Sequence, residues 1–234
     1  MSNIMGEFLG TMILILLGDG VVAGVLLKKS KGENGGWIVV TTAWALAVVI
    51  PAFIFGSVSG AHFNPALTIA LAFLGKFSWS LVPQYIAAQM LGAIAGATLV
   101  WLTYLPHWKE TEEKAAKLGV FCTAPAIRNT TANIITEVIG SFILIFGILG
   151  LGQVQMVPGV NVLAVGGLIF VIGLSLGGPT GYAINPARDL GPRIAHAILP
   201  IAGKGDSDWG YSWIPVVAPI IGGLLGAIVF KSVF

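Results

Sequence analysis

The sequence predicts an all-α membrane protein, with six transmembrane helices and two re-entrant half-helices arranged as an inverted repeat in one domain over 1-234. Three observations carry that reading: a composition poor in charge, two copies of Asn-Pro-Ala set among apolar residues, and a likeness between the two halves of the chain. Of the 234 residues, 56% are hydrophobic and only 9% charged, and the mean hydropathy is +0.91; no soluble domain of this size has such values. The net charge of +2 leaves no basic footprint for nucleic acid and no acidic tail. The lone cysteine, Cys122, excludes an internal disulfide framework and a cysteine metal cluster. With no visible cofactor motif, metal-ligand set or nucleophile beside a base, the pattern does not point to an enzyme.

Six apolar stretches are long enough to cross about 30 Å of hydrocarbon as helices: roughly 5 to 27, 37 to 57, 81 to 104, 133 to 152, 160 to 178 and 213 to 233. The first has no Lys or Arg ahead of it and no small-residue cleavage site, so it reads as a retained span rather than a signal peptide. Backbone polar groups at lipid depth must be satisfied internally, which makes a helix bundle the default. Glycines four apart, at Gly6 and Gly10, Gly92 and Gly96, and Gly222 and Gly226, are placed to let helix backbones approach closely.

Two further segments, "NPALTIALAFLG" (64 to 75) and "NPARDLGPRIAHAILP" (185 to 200), are apolar enough for membrane depth but too short to span it. At about 11 to 14 residues each, they reach roughly 17 to 20 Å at 1.5 Å per residue. Asn followed by Pro is a helix start: the side chain caps, and Pro takes the first position, where its missing N–H costs nothing. The one sizeable polar region, 105 to 131, is expected to be an extramembrane loop joining the halves. Within it "KETEEKAAK" reads as a solvated wall or as a surface helix with Glu110 and Lys114, and Glu113 and Lys117, four apart.

The repeat is legible in "GEFLGTMILILLG" (6 to 18) and "TEVIGSFILIFGI" (136 to 148), which bring Glu7 and Glu137 into register at an offset of 130, while Asn64 and Asn185 correspond at 121. Repeats of about 1-104 and 132-234 then each hold three spans and one half-helix, and an odd number of spans inverts the second repeat in the membrane. Such broken helices place a polar path at the bilayer midplane, and non-helical backbone is tolerated at that depth only where it is buried or lines a water-filled cavity.

With "SGAHFNPA", "GPTGYAINPARD" and the duplicated Glu-bearing first helices, the whole chain resembles the aquaporin family, and within it the aquaglyceroporin, or glycerol facilitator, branch. The resemblance implies an aquaporin-like right-handed bundle. The half-helices enter from opposite faces and meet at Asn64-Pro65-Ala66 and Asn185-Pro186-Ala187, whose Asn amides donate to a passing solute. Two helix N-termini converging there make a positive potential that repels cations and protons. The family's selectivity filter falls on Trp44, Gly173, Tyr182 and Arg188. Water-selective members carry a His where this chain has Gly173, and glycerol-conducting members carry Phe where it has Tyr182. That hydroxyl either narrows the filter or adds a polar contact. The resemblance also makes Asp189, Arg193, Pro215 and the non-aromatic Val216 markers of the glycerol branch, although Asp189 has a local reason too, as an acid in a first helical turn.

Glu7 and Glu137 are expected to accept backbone N–H bonds from the half-helix loops; a proton relay would need a connected chain of His, Asp and Glu, which is not seen. His62 either lines the cytoplasmic vestibule or is a satisfied structural histidine. Asp19, in "LLGDGVV", lies near the outer end of the first span without an evident partner. Family likeness puts both termini in the cytoplasm of a plasma membrane. That leaves Lys28, Lys29, Lys31, Lys109, Lys114, Lys117 and Arg128 outside and only Lys76 and Lys231 inside, against the positive-inside rule.

The expected activity is passive passage of glycerol, other small neutral solutes and water through each pore of a homotetramer, with the lipid bilayer as surroundings and no cofactor. Dihydroxyacetone, urea, hydrogen peroxide and protonated lactic acid satisfy the same filter chemistry. A water-selective pore and a proton-coupled secondary transporter are the competing readings, and the latter needs titratable groups at its solute site.

Overall fold

The computed structural model describes residues 1–234, whose regular elements are all helices, without strands. The spans are α1 (Asn3–Leu26), α2 (Trp37–Ser59), α4 (Val82–Thr103), α7 (Thr130–Leu151), α8 (Val160–Leu176) and α10 (Ile214–Val233); the half-helices are α3 (Pro65–Phe73) and α9 (Pro186–Ile198). Five of the six spans have the length and hydropathy to cross a membrane by themselves. The exception, α8, has 17 residues, about 25 Å at 1.5 Å per residue. It starts at Gly159, whose φ is 90°, and stops at the Gly177-Gly178-Pro179 run that begins the second re-entrant loop.

α3, at 9 residues, is shorter than its sequence pattern predicts. Gly75 adopts φ 71°, its N–H bonds Ala72 O at 3.0 Å and the N–H of Lys76 bonds Leu71 O at 2.9 Å. That is the Schellman closure, and it turns the chain before residue 75 can join the helix. α9 runs for 13 residues and ends at Ile198, with Leu199 as its cap before Pro200. There the Lys204 ammonium donates to the carbonyls of His196, Ala197 and Leu199 at 2.6, 2.6 and 2.7 Å, satisfying three acceptors that a helix end leaves open.

The packing is the same in the two halves. α1 lies on α4 and α2, and α7 lies on α10 and α8, while α2 meets α8 between the halves. The half-helices cross over: α3 packs on α10 and α9 on α4, so each half holds the other's broken helix. A Cβ at Gly92 or Gly96 would stand 2.3 Å from Phe8 O or 2.5 Å from Met12 O, and one at Gly222 or Gly226 would stand 2.3 Å from Val138 O or 2.8 Å from Phe142 O. At these two contacts helix backbones touch, as small-residue spacing allows. Gly6 and Gly10 serve differently from their expected role. Their space is taken by the Ser59 side chain at the end of α2 and by the Phe63 ring of the first re-entrant loop, not by a neighbouring helix backbone.

The polar segment after α4 also departs from expectation. It forms two short helices, α5 (His107–Glu110) and α6 (Lys114–Phe121), with a break at 111–113. Thr111 is drawn away to accept from Lys28 N at 3.0 Å, and Glu110 pairs with Lys29 rather than Lys114. Lys117 is neither solvated nor paired along a helix. Its side chain is buried and donates to the Ala202 carbonyl, and burial pushes the ammonium below the usual lysine range. Trp108 and Phe121 stack beneath the segment at 5.6 Å, both buried.

Candidate pore and constriction

The two re-entrant loops are pinned by buried carboxylates. Glu7 Oε1 accepts from Ser59 Oγ at 2.7 Å and His62 N at 2.9 Å, and Oε2 accepts from Phe63 N at 2.8 Å and Gln89 Nε2 at 2.7 Å. Glu137 Oε1 accepts from Thr180 Oγ1 at 2.6 Å and Ala183 N at 3.0 Å, and Oε2 from Ile184 N at 2.9 Å. Both loops need this support because they are strained. Ala61 and Phe63 have φ of 52° and 49°, and Tyr182 and Ile184 have φ of 39° and 43°, left-handed values that cost a residue with a Cβ roughly 1–2 kcal/mol each.

The half-helices then meet cap to cap. Asn64 Oδ1 accepts from Ala66 N at 2.9 Å, and Asn185 Oδ1 from Ala187 N at 3.0 Å and Arg188 N at 3.3 Å, with Pro65 and Pro186 in the first turns. The amide nitrogens cross between the halves, Asn64 Nδ2 to Ile184 O at 2.9 Å and Asn185 Nδ2 to Phe63 O at 2.8 Å. An amide nitrogen carries two N–H groups, so one N–H of each Asn remains without a protein acceptor.

Both asparagines line a central cavity bounded by 17 residues, 13 of them hydrophobic. One wall is apolar, from Leu14, Val48, Leu144, Ile148, Val165 and Ile169 of four spans. The loop backbones supply the rest of the lining, and the carbonyls of Ala61, His62, Tyr182 and Ala183 have no donor within the protein. A second cavity opens on the face that carries the 105–130 segment, and Trp44, Tyr182 and Arg188 line both cavities. These three residues therefore stand at the join.

Their packing is specific. The Arg188 guanidinium lies 4.1 Å from the centroid of the Trp44 ring. Gly173 lines neither cavity, because the Tyr182 ring fills the hollow that it leaves. A Cβ there would be 2.9 Å from both Tyr182 Cζ and Thr41 Cγ2, and one at Gly177 would be 2.6 Å from Tyr182 Cδ1. Trp37 closes this nest, edge-on to Tyr182 at 5.8 Å and donating its indole N–H to Gly173 O at 3.0 Å. The Tyr182 hydroxyl is buried without a hydrogen-bond partner, shielded from both cavities rather than offered to them.

The other sequence-predicted positions divide between lumen and scaffold. His62 lines the central cavity and is also tied down, Nδ1 lying 3.1 Å from Thr68 Oγ1 and the ring packed against both Phe77 and Tyr85. Asp189 and Arg193 lie outside the lumen as a fully buried clasp. Asp189 Oδ2 accepts from Thr123 N and Oγ1 at 2.8 and 2.6 Å, and Oδ1 from Arg193 Nε at 2.9 Å. Arg193 also donates to Ser207 O at 2.8 Å and to Thr123 O at 2.9 Å. α9 is thereby bound to two loops outside the long helices, at Thr123 and at Ser207. Pro215 and Val216 open α10 and line neither cavity, and Cys122 is buried at the rim of the second cavity.

Sequence reasoning left Asp19 without a partner. The structure places it, fully buried, beside Arg188, with Oδ1 3.4 Å from Nη1. The available signal was that an acid inside a span requires a nearby cation, and Arg188 and Arg193 are the only cations in the apolar half-helices.

Comparison with known proteins agrees with this architecture along the whole chain. Residues 1–230 match the model of the major intrinsic protein family. A probable glycerol uptake facilitator protein of Thermotoga maritima is 63% identical over 234 residues, 100% of both chains. The glycerol uptake facilitator protein of Bacillus subtilis is 60% identical over 234 residues, 100% of this chain and 85% of the relative. Among solved structures, the aquaglyceroporin from Plasmodium falciparum superposes with a TM-score of 0.87 at 31% identity, covering 99% of this chain and 95% of that one. The chain is a multi-pass membrane protein and belongs to the major intrinsic protein family.

Proposed function

We propose that this protein is a passive channel for glycerol and other small neutral solutes, with water as a co-permeant. The observation that carries the reading is the mixed lining of the central cavity. Its lining combines six aliphatic side chains with two Asn amides and with loop residues whose carbonyls, at Ala61, His62, Tyr182 and Ala183, are free. A short polyol has the matching faces, hydroxyls that donate and accept along one edge and carbon along the other. Unpaired backbone groups at membrane depth are affordable where water or a solute replaces their partners. The names of the relatives, glycerol uptake facilitators over the full length, support the same substrate.

In this reading Trp44, Tyr182 and Arg188 form the selectivity filter, with Gly173 behind Tyr182 as the residue that lets the ring recede. Arg188 supplies donors to hydroxyls and a positive charge against cations, and the convergent half-helix N-termini reinforce the barrier at Asn64 and Asn185. Glu7 and Glu137 hold the loops in place and carry no protons across. Binding and orientation are the whole of the chemistry, so no catalysis is assigned. The two repeats work as one domain in the plasma membrane, with both termini cytoplasmic and four copies assembled as independent pores.

One alternative is a filter narrow enough to select water, since the hollow at Gly173 is occupied by Tyr182 and not left open to a solute. Stopped-flow light scattering on proteoliposomes separates the readings. Glycerol flux that follows its own gradient and ignores an imposed pH gradient is expected. Water flux without glycerol flux would establish the narrower filter, and uphill glycerol movement driven by protons would overturn the channel.

A further inference from the structure

The outer part of α1 stands directly behind the constriction, and two of its residues are matched to the filter. A Cβ on Gly18 would come within 2.4 Å of Cη2 and Cζ3 of Trp44, so the indole occupies its position because residue 18 has no side chain. The next residue, Asp19, is fully buried and lines neither cavity. Its Oδ1 is the one protein acceptor for the Arg188 side chain, at 3.4 Å, and its Oδ2 is buried with no donor at all. An ionised side chain inside a span is costly unless it answers another charge, and no other side chain bonds to this carboxylate.

We propose that Asp19 is a specificity-determining positioning residue of the pore, which holds the Arg188 guanidinium back against Trp44 and offsets its charge. The inference rests on the channel reading and concerns the same site. Arginine carries five N–H donors in a fixed fork. Tying Nη1 to α1 fixes which of them face the lumen and how far the guanidinium intrudes. The open Oδ2 extends this control, because a small turn of the fork closes a second bond to the same carboxylate and withdraws another donor from the passage. Without Asp19, the guanidinium leans into the lumen with its charge uncompensated. Glycerol then meets a narrower filter, and small anions meet an attractive one.

The test compares wild type, Asp19→Asn and Asp19→Ala in proteoliposomes, each also with Arg188→Leu. Glycerol and water permeabilities are measured per folded channel, and nitrate influx is followed in parallel. Losing a hydrogen bond to a charged group is expected to lower the glycerol-to-water ratio about fivefold to tenfold in Asp19→Ala, and about twofold to threefold in Asp19→Asn, which keeps the shape. Nitrate influx, absent from wild type, should appear in both, and neither change should appear once Arg188→Leu is present. Equal losses of water and glycerol, leaving the ratio unchanged, would mean a structural role and overturn the proposal. The same shift in the Arg188→Leu background would overturn it as well. Should Asp19→Ala not fold, Asp19→Asn decides on the same criteria. A wild type that passes water but no glycerol would refute the functional reading instead, and nitrate influx through Asp19→Asn would then decide the role of Asp19.

Discussion

Residues 59–64 and 180–185 form one loop twice, with the same hydroxyl and two backbone N–H groups held by a buried glutamate, and left-handed backbone at the first and third residues before each Asn. The side chains they present are nevertheless different. Where the second loop and α9 carry Tyr182, Arg188 and Asp189, the corresponding residues of the first, 121 positions earlier, are Ala61, Leu67 and Thr68. The duplicated part is what a broken helix needs in order to exist inside a membrane. Of the side chains that differ, Tyr182 and Arg188 line both cavities, so the shared scaffold and these unshared side chains can be attacked separately.

The largest effects are expected from breaking the duplicated part, and they should be similar in both halves. Glu137→Ala leaves two buried N–H groups and a hydroxyl without acceptors, and Glu7→Ala leaves four donors. At about 1–3 kcal/mol per unsatisfied group, both should fail to yield a monodisperse protein in detergent, while the glutamine variants, which keep one acceptor oxygen, should fold with lowered Tm. Next come the helix contacts. Gly92→Val and Gly222→Val each drive a side chain into a carbonyl 2.3 Å away, and each is expected to cost several kcal/mol, about 3 or more, seen as matching drops in thermal stability. Unequal drops would show that the halves are not equivalent scaffolds.

Changes confined to the second half should spare folding and move selectivity. Gly173→His must push Tyr182 and Thr41 out of the space they fill. Glycerol flux is expected to fall about tenfold, with water flux falling less, since a steric barrier in a pore acts most on the larger solute. The smallest effect is expected from Tyr182→Phe. Its hydroxyl is buried and unpartnered, and removing such a group changes stability by less than about 1 kcal/mol, in the stabilising direction. The glycerol-to-water ratio should hold within about twofold, as expected for a hydroxyl that does not reach the permeant.

Much of the scaffold was legible because it is local or repeated. Asn-Pro marks a helix start wherever it occurs, and the register of Glu7 with Glu137 follows from a comparison of the halves. The residue pairings were not legible. Asp19 meets Arg188 across 169 positions, and the Asp189–Arg193 clasp acquires its purpose from Thr123 and Ser207 on loops with no regular pattern. The "KETEEKAAK" segment shows the same limit. Its spacing fits one helix, but Lys29 and Ala202, far away in sequence, claim Glu110 and Lys117. Tyr182 carries the related lesson that the room left by a glycine such as Gly173 goes to whichever neighbour can use it.

The measurement closest to the central claim compares wild type with Arg188→Leu, which gives the second half the residue that the first half has at Leu67. Stopped-flow permeation of water, glycerol and a longer polyol such as sorbitol is read for each. The duplicated scaffold should keep water and glycerol flux open in both proteins, and sorbitol, excluded by wild type, should enter through the variant. Sorbitol excluded from the variant as fully as from wild type would contradict the account, because selectivity would then reside in the shared scaffold rather than in the side chains of the second half.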